Sequence, residues 1–168
     1  MVKPIKVNNL EVTVKTNNLI TPAALTHVKH SIEGCLTVLL AKKNRLKLKK
    51  TGHYLIHVEM VPIAKMTKVN KIFRGKEGPT DVLTFARWEA GVPALPLMDL
   101  GDILVAPEVG RKQAKRFENT YLQELQRLTV HGLLHLFGYD HELGPVEEKE
   151  MFGLQERILT ALIIKELE

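Results

Sequence analysis

The stretch TYLQELQRLTVHGLLHLFGYDH, residues 120–141, determines the centre of the fold. Thr120 and Gln123 have the spacing of a capping box, in which each side chain bonds to the backbone of the other, so a helix is expected to begin here. The first half of the segment is amphipathic, whereas LTVHGLLHLFG is apolar on nearly every side. Because a helix without a polar face is usually enclosed by its domain, the sequence predicts a central apolar helix over residues 120–137.

The segments on either side of this helix indicate a mixture of strands and helices. Alternating or β-rich apolar runs predict strands at residues 10–14, 53–61, 81–85 and 102–106. Apolar residues at helical spacing, or a leading proline, predict helices at residues 21–39, 62–72, 107–117 and 145–165. Residues 87–100 hold two prolines and little periodicity and are expected to form a loop. We therefore predict a single α+β domain over residues 1–168, with a small, mostly four-stranded mixed sheet and about five helices around the central one.

Charge is distributed unevenly along the chain. The formal net charge is +5, but residues 1–80 carry 15 Lys and Arg against 4 acidic residues, whereas residues 81–168 carry 9 against 15. A basic half concentrates a polyanion near the protein surface before any specific contact forms. The densest segment, KKNRLKLKK at residues 42–50, is equally typical of a solvated helix end and loop. The charge pattern is thus compatible with a polyanionic partner but does not require one.

The sequence also bears on the cellular compartment. No apolar run approaches the roughly 18 residues that a membrane span needs, and MVKPIKVNNLEVTV at the start contains no signal-peptide core or transit segment. Cys35 is the only cysteine, so an internal disulfide is excluded and a reducing compartment is favoured. Its place on the apolar side of a helical pattern is typical of an inert core thiol. A cytoplasmic protein without membrane contact is therefore expected.

Three of the seven histidines lie in HGLLHLFGYDH, residues 131–141. His131 and His135 are four residues apart and share a helix face, with Cβ atoms about 5–6 Å apart, so both imidazoles can reach one ion. A continuous helix would carry His141 about 15 Å from His131. Gly138 adopts positive φ at little cost and can end the helix and reverse the chain. The spacing therefore predicts a three-histidine metal site; the alternative is three unrelated histidines, each needing its own partner if buried.

Three protein ligands leave one position of a tetrahedral metal open, which is the catalytic arrangement and not the structural one. Imidazole ligation suits one Zn²⁺ ion, although nickel or copper would also bind. The spacing of the histidines equals that of metzincin peptidases, whose general base is a glutamate directly after the first histidine. That position is Gly132 in this chain, and glycine cannot accept a proton. A zinc peptidase is therefore the weakest of the functions considered.

Two further motifs resemble a known family. NKIFRGKEGPTDVLTF (residues 70–85) and LGDILVAPE (residues 100–108), taken with HGLLHLFGYDH, make the chain similar to the YbeY family, the single-strand-specific endoribonucleases of ribosomal RNA maturation. The resemblance covers roughly residues 54–160. The chain departs from the family in having Ala86 where proline is usual and a somewhat long connection before Leu100. Neither departure involves a proposed metal ligand. Both are expected to affect only the rim of the active-site cleft.

The resemblance implies roles for particular residues and partners. It implies that His131, His135 and His141 bind the metal, and that Arg74 is the arginine needed for activity. This role suits Arg74, because a guanidinium can hold two phosphodiester oxygens as negative charge grows on them. The resemblance further implies single-stranded RNA, ribosomal RNA precursors and the ribosome or its proteins as partners, and a part in ribosome quality control. The main alternative is a non-enzymatic, RNA-binding ribosome-assembly factor with a structural metal.

Two acidic residues next to the third histidine have open roles. Asp140 and Glu142 flank His141, and either could orient an imidazole or act as general base. Asp81, in contrast, is expected to anchor a turn and not to transfer protons.

Cationic and aromatic residues near the motifs are also open to two interpretations. Lys71 and Lys76 could follow an RNA backbone or be ordinary surface charges. Phe137 and Tyr139 could stack on bases. Phe137 lies within the apolar helix, so we expect it in the core.

Overall fold

The computed structural model describes residues 3–41, 45–88 and 97–167. The elements, in chain order, are β1 (Ile5–Val7), β2 (Leu10–Lys15), α1 (Pro22–Ala41), β3 (His53–Met60), α2 (Ile63–Arg74), β4 (Val82–Ala86), β5 (Leu97–Val105), α3 (Pro107–Arg116), α4 (Tyr121–Leu136) and α5 (Pro145–Leu167). The predicted α+β class and the predicted helices are confirmed. Among the described residues there are five helices, which are the central helix and the four others whose ranges were predicted.

The strands form one mixed sheet in the order β1-β2-β3-β5-β4. Strands β2, β3 and β5 pair in parallel, whereas β1 and β4 are antiparallel edge strands. The predicted mixed sheet is confirmed, but it has five strands where four were expected, because β1 was missed. This strand is only three residues long and turns into β2 through Asn8, whose φ is 53°. A run that short is too brief for an alternating pattern to show.

Strand β5 begins earlier than predicted, inside the expected loop. It starts at Leu97, and a bulge at Leu100 shifts its register against β3. The next residue, Gly101, has φ 141°, and a Cβ there would lie 2.0 Å from the carbonyl oxygen of Phe85. The bulge interrupts the alternation of side chains, so the first half of β5 did not show as a strand. Residues 89–96 of the predicted loop lie outside the described residues.

Helix α4 lies at the centre of the main core, where it contacts α1, α3, α5, β4 and β5. Thr120 and Gln123 form the predicted capping box, and Phe137 caps the other end, so the central helix over residues 120–137 is confirmed. The helix packs closely on the sheet at Gly132, where a Cβ would lie 2.6 Å from Cγ2 of Ile103. The sheet therefore fills the position that a metzincin glutamate would need.

Helix α2 covers part of the opposite face of the sheet. Consecutive residues of β5 point to opposite faces: Ile103 belongs to the main core, and Leu104 belongs to a smaller apolar cluster. Met66 of α2 is fully buried in that smaller cluster. This packing fixes the direction of α2, whose last residue is Arg74.

Two observations bear on the expectations about compartment. Cys35 is fully buried, and burial raises the pKa of its thiol far above the ordinary value, which confirms an inert core thiol. No helix within the described residues is both long and apolar enough to cross a membrane.

Candidate metal centre

The end of α4 reverses the chain through a Schellman motif. Gly138 has φ 83°, and its N–H donates to the carbonyl of His135 at 3.0 Å. The N–H of Tyr139 donates to the carbonyl of Leu134, also at 3.0 Å. These bonds satisfy carbonyls of the last helical turn while the chain folds back. The predicted reversal at Gly138 is confirmed.

The reversal brings the three imidazoles together. The ring centroids of His131 and His135 are 4.7 Å apart, and each lies 5.2 Å from the ring of His141. One ligand nitrogen from each ring lies within 4.8 Å of the others. These residues are the one group of three or more potential ligands with metal spacing in the part of the chain that the structure describes. The structure thus places three histidines to bind a metal, which does not fit the alternative of unrelated core residues.

Hydrogen bonds around two of the rings leave unprotonated nitrogens facing each other. Nδ1 of His131 lies 2.9 Å from Oε1 of Gln155, an acceptor, so Nδ1 carries the proton and Nε2 has a free lone pair. Burial lowers the pKa of His135, and a hydrogen bond to the Tyr139 backbone opposes that shift, as expected if the ring donates outward. The two Nε2 atoms lie 3.2 Å apart, close to the roughly 3.3–3.4 Å between two ligands of a tetrahedral zinc with bonds of about 2.0–2.1 Å. Facing lone pairs repel unless a cation lies between them, so this donor set fits a metal ion.

Burial keeps these imidazoles in the form that a metal needs. Desolvation by burial lowers the pKa of His131 to about 4, although the hydrogen bond with Gln155 opposes the shift. Burial likewise lowers the pKa of His135, and the charge of His141 adds to the effect. Since only a neutral imidazole binds a metal, protons compete little at these two rings near neutral pH.

Helix α5 supports the site with two residues that the sequence analysis missed. The side chain of Gln155 is buried and fixes the tautomer of His131. The ring of Phe152 stacks on His141, with centroids 5.1 Å apart and planes 29° apart. Positions 152 and 155 share a face of α5 because they are three residues apart. That spacing was visible, but only the packing of α5 against α4 shows which face meets the histidines.

Arg74 contacts the turn that carries His141 although it is distant in sequence. Its Nη2 atom is 2.8 Å from Oε1 of Glu142, the residue after His141. The backbone N–H of Glu142 donates to Oδ1 of Asp140 at 2.9 Å, which fixes the turn. The hydrogen bond and the charge of Arg74 lower the pKa of Glu142, which therefore stays ionised. The last turn of α2 and the turn after α4 thus meet at this ion pair.

The structure also places the other residues that the sequence analysis considered. Oδ1 of Asp81 accepts the N–H of Val82 at 2.8 Å, so the expected turn anchor is confirmed. Phe137 is 1% exposed and Tyr139 is 8% exposed, and the guanidinium of Arg45 lies 4.0 Å above the Tyr139 ring. Neither ring is free to stack on a base.

The two lysines on and just after α2 lie on the surface. Lys71 pairs with Glu77 at 2.8 Å, and Lys76 is exposed. Both of the roles considered for them, contact with an RNA backbone and ordinary surface charge, remain compatible with these positions.

Comparison with known proteins relates this site to a family. The family profile described as "Endoribonuclease YbeY" matches residues 14–163. A protein of Leuconostoc mesenteroides named endoribonuclease YbeY is 51% identical over an alignment of 100 residues. The alignment covers 54% of this chain and 62% of the relative, so it spans less than two thirds of that protein. A protein of the same name from Thermodesulfovibrio yellowstonii is 39% identical over 121 residues, which are 72% of this chain and 75% of the relative. A solution structure from Thermotoga maritima matches with a TM-score of 0.57 and 28% identity, covering 89% of each chain.

The fold and the site together define an α+β protein whose central helix and following turn present three histidines to one metal position. Within that class, the chain belongs to the YbeY family of endoribonucleases.

Replacing Gln155 by leucine should weaken metal binding and leave the fold intact. The change removes the acceptor that holds Nδ1 of His131 protonated, and losing such a partner typically costs about 10–100-fold in metal affinity. The measurement is a Zn²⁺ titration against a competing chelator, with thermal unfolding recorded alongside. Gln155→Glu keeps an oxygen acceptor at the same position and should bind at least as tightly as wild type. If Gln155→Leu bound Zn²⁺ as tightly as wild type, the hydrogen bond from His131 to Gln155 would not be what orients the His131 ring.

Proposed function

We propose that this chain is a metal-dependent endoribonuclease that cleaves single-stranded RNA in ribosomal RNA maturation. In this proposal His131, His135 and His141 hold the metal, and Arg74 is the catalytic residue that contacts the scissile phosphate. The observation that carries the proposal is the convergence of three imidazoles at a turn whose Glu142 pairs with the Arg74 guanidinium. Membership of the YbeY family supports RNA as the substrate. Zn²⁺ is the proposed ion because three neutral imidazoles with one open position suit it, and nickel is the next candidate.

The three histidines and Arg74 would have different roles in catalysis. A metal held by the histidines would polarise a phosphate oxygen or lower the pKa of a bound water. Arg74 would donate two hydrogen bonds to the non-bridging oxygens as negative charge grows on them. Its ion pair with Glu142 holds the guanidinium at the site before substrate arrives. A phosphate would then replace the carboxylate as the partner of Arg74, so little reorganisation is needed.

Two other functions have less support. A ribosome-assembly factor with a structural metal would be expected to close the fourth ligand position with a protein side chain, whereas the described cluster contains three ligands. A zinc peptidase would need a general base after the first histidine. That position is Gly132, which packs against Ile103 and leaves no room for a side chain.

We further propose that residues 1–168 act as one cytoplasmic domain that works on the ribosome. The buried, lone Cys35 suits a reducing compartment. Ribosome association, and with it a part in ribosome quality control, follows from the proposed substrate, because unprocessed ribosomal RNA is already assembling with ribosomal proteins.

Removing the metal should abolish the cleavage of single-stranded RNA. Purified protein is treated with a chelator and reloaded with Zn²⁺ or Ni²⁺, and cleavage of a labelled single strand is compared with that of the matching duplex. Because the histidines would supply all protein ligands, cleavage should fall to background after chelation and return on reloading. His131→Ala protein, purified in parallel, controls for contaminating nucleases. Full cleavage by the chelated protein would refute the metal mechanism, and RNA binding without turnover by the loaded protein would favour the assembly factor.

A further inference from the structure

Phe73 is a large aromatic side chain left exposed at the edge of the candidate site. It precedes Arg74 in the last turn of α2 and is 66% exposed, and its neighbour Ile72 is 63% exposed. Single exposed apolar residues are common and need no explanation. Here, however, two exposed apolar residues directly precede Arg74, which pairs with the turn of the histidine site.

The ring of Phe73 is supported by a second aromatic ring. It makes an edge-type contact with the ring of Phe85, with centroids 4.9 Å apart and planes 67° apart. Such aromatic pairs stabilise one another beyond their buried area. A ring already fixed by a neighbour loses little conformational entropy when a ligand stacks on it.

Phe73 and Phe85 also line a groove of about 550 Å³ over the face of the sheet opposite α4. Val69 and Leu104 contribute apolar surface to this groove, and its rim carries the ion pairs of Lys65 with Glu59 and of Arg87 with Asp102. An apolar surface with a few polar groups at its edge, in this volume range, is typical of a site for a small flat ligand. Because the charges on the rim are paired with each other, the groove suits a neutral group better than a phosphate.

Helix α2 borders the groove with Lys65, Val69 and Phe73 and brings positive charge next to it. It carries Lys65, Lys68, Lys71 and Arg74 and contains no acidic residue. A cationic helix beside a neutral aromatic groove matches the alternation of phosphate and base in a single strand. Proteins that bind single-stranded nucleic acid combine such a basic track with aromatic stacking surfaces.

We propose that Phe73 is a stacking platform for the base of a nucleotide that flanks the phosphate held by Arg74. Phe85 supports the ring, and the lysines of α2 follow the RNA backbone. This proposal rests on the proposed function, since it concerns the path of the same RNA. In a duplex the bases are paired and stacked on each other and cannot reach the ring. Phe73 would therefore contribute to selection of single-stranded RNA.

The test measures RNA binding by metal-free protein, so that cleavage does not interfere. Fluorescence anisotropy of a labelled single-stranded RNA should show binding by Phe73→Ala weakened at least about fivefold, as expected for the loss of one stacked base. Phe73→Trp keeps an aromatic ring and should bind at least as well as wild type. Phe117→Ala is the matched control, because Phe117 is 58% exposed and lies 5.6 Å from the Arg116 guanidinium at the end of α3. Its binding should be unchanged.

The same RNA with abasic sites, and the matching duplex, separate stacking from other effects. With either ligand, wild type and Phe73→Ala should bind equally, because no base is free to stack. A loss of equal size on all three RNAs would point to a general defect of the surface and would overturn the platform. Equal single-strand affinity of wild type and Phe73→Ala would also overturn it, while leaving the proposed function intact. Wild-type protein that, loaded with Zn²⁺, neither binds nor cleaves RNA would overturn both proposals.

Discussion

The His131→Ala variant should contain no metal and cleave no single-stranded RNA. His131 lies close to both of the other ligands, with its Nε2 atom 3.2 Å from that of His135 and its ring 5.2 Å from that of His141. Structural zinc sites bind with about 10–16 kcal/mol, so one of four ligands is worth about 3–4 kcal/mol, or roughly 10²–10³-fold in affinity. Elemental analysis of purified protein should report the loss directly, and a cleavage assay on the same preparation should report loss of turnover.

The controls separate a lost ligand from a damaged fold. His30→Ala removes an exposed histidine from α1 and should keep both metal and activity. His141→Ala removes a ligand from the turn and not from the buried helix, and it should lose metal and cleavage like His131→Ala. Thermal unfolding in the presence of chelator should be similar for wild type and His141→Ala, since the comparison then excludes stabilisation by the metal. A His131→Ala protein that retains one metal per chain would contradict the proposed centre.

Patterns local to one segment predicted most of the fold. The capping box and the apolar half of α4 depend on residues a few positions apart, and the structure confirms both. The missed pieces depend on contacts between distant segments. Strand β1 exists because three residues pair with β2. The early part of β5 exists because a bulge before Gly101 lets the strand keep pairing with β3. Neither contact leaves a periodic signal in the chain.

The same distinction between local patterns and contacts of distant segments applies to the candidate site. The convergence of His131, His135 and His141 could be predicted because helix geometry and one glycine with positive φ determine it. The partner of His131 could not be predicted, since Gln155 reaches it only through the packing of α5 on α4. Arg74 was indicated by family resemblance alone. Its approach to the turn through Glu142 depends on how α2 lies across the sheet.

Reversing the charge of Arg74 should separate metal binding from catalysis. Arg74→Glu should retain a full complement of metal, because the arginine is not a ligand, and should lose cleavage by about 10²–10³-fold or more, as when one stabiliser of transition-state charge is removed. RNA affinity should also fall, since a cation next to the phosphate is replaced by an anion. Single-turnover cleavage, anisotropy and elemental analysis on one preparation measure all three quantities.

Two further variants test whether the guanidinium itself is required. Arg74→Lys keeps the charge but not the paired hydrogen bonds, so its cleavage rate should lie between wild type and Arg74→Glu. Lys71→Glu reverses a charge on the same helix at a residue that pairs with exposed Glu77. This change should weaken RNA binding modestly and leave the rate at which bound substrate is cleaved unchanged. If Lys71→Glu lost as much single-turnover rate as Arg74→Glu, the effect would belong to the overall charge of α2. If Arg74 acts at the phosphate, the single-turnover rate should fall in Arg74→Glu and not in Lys71→Glu. Both variants should contain as much metal as wild type.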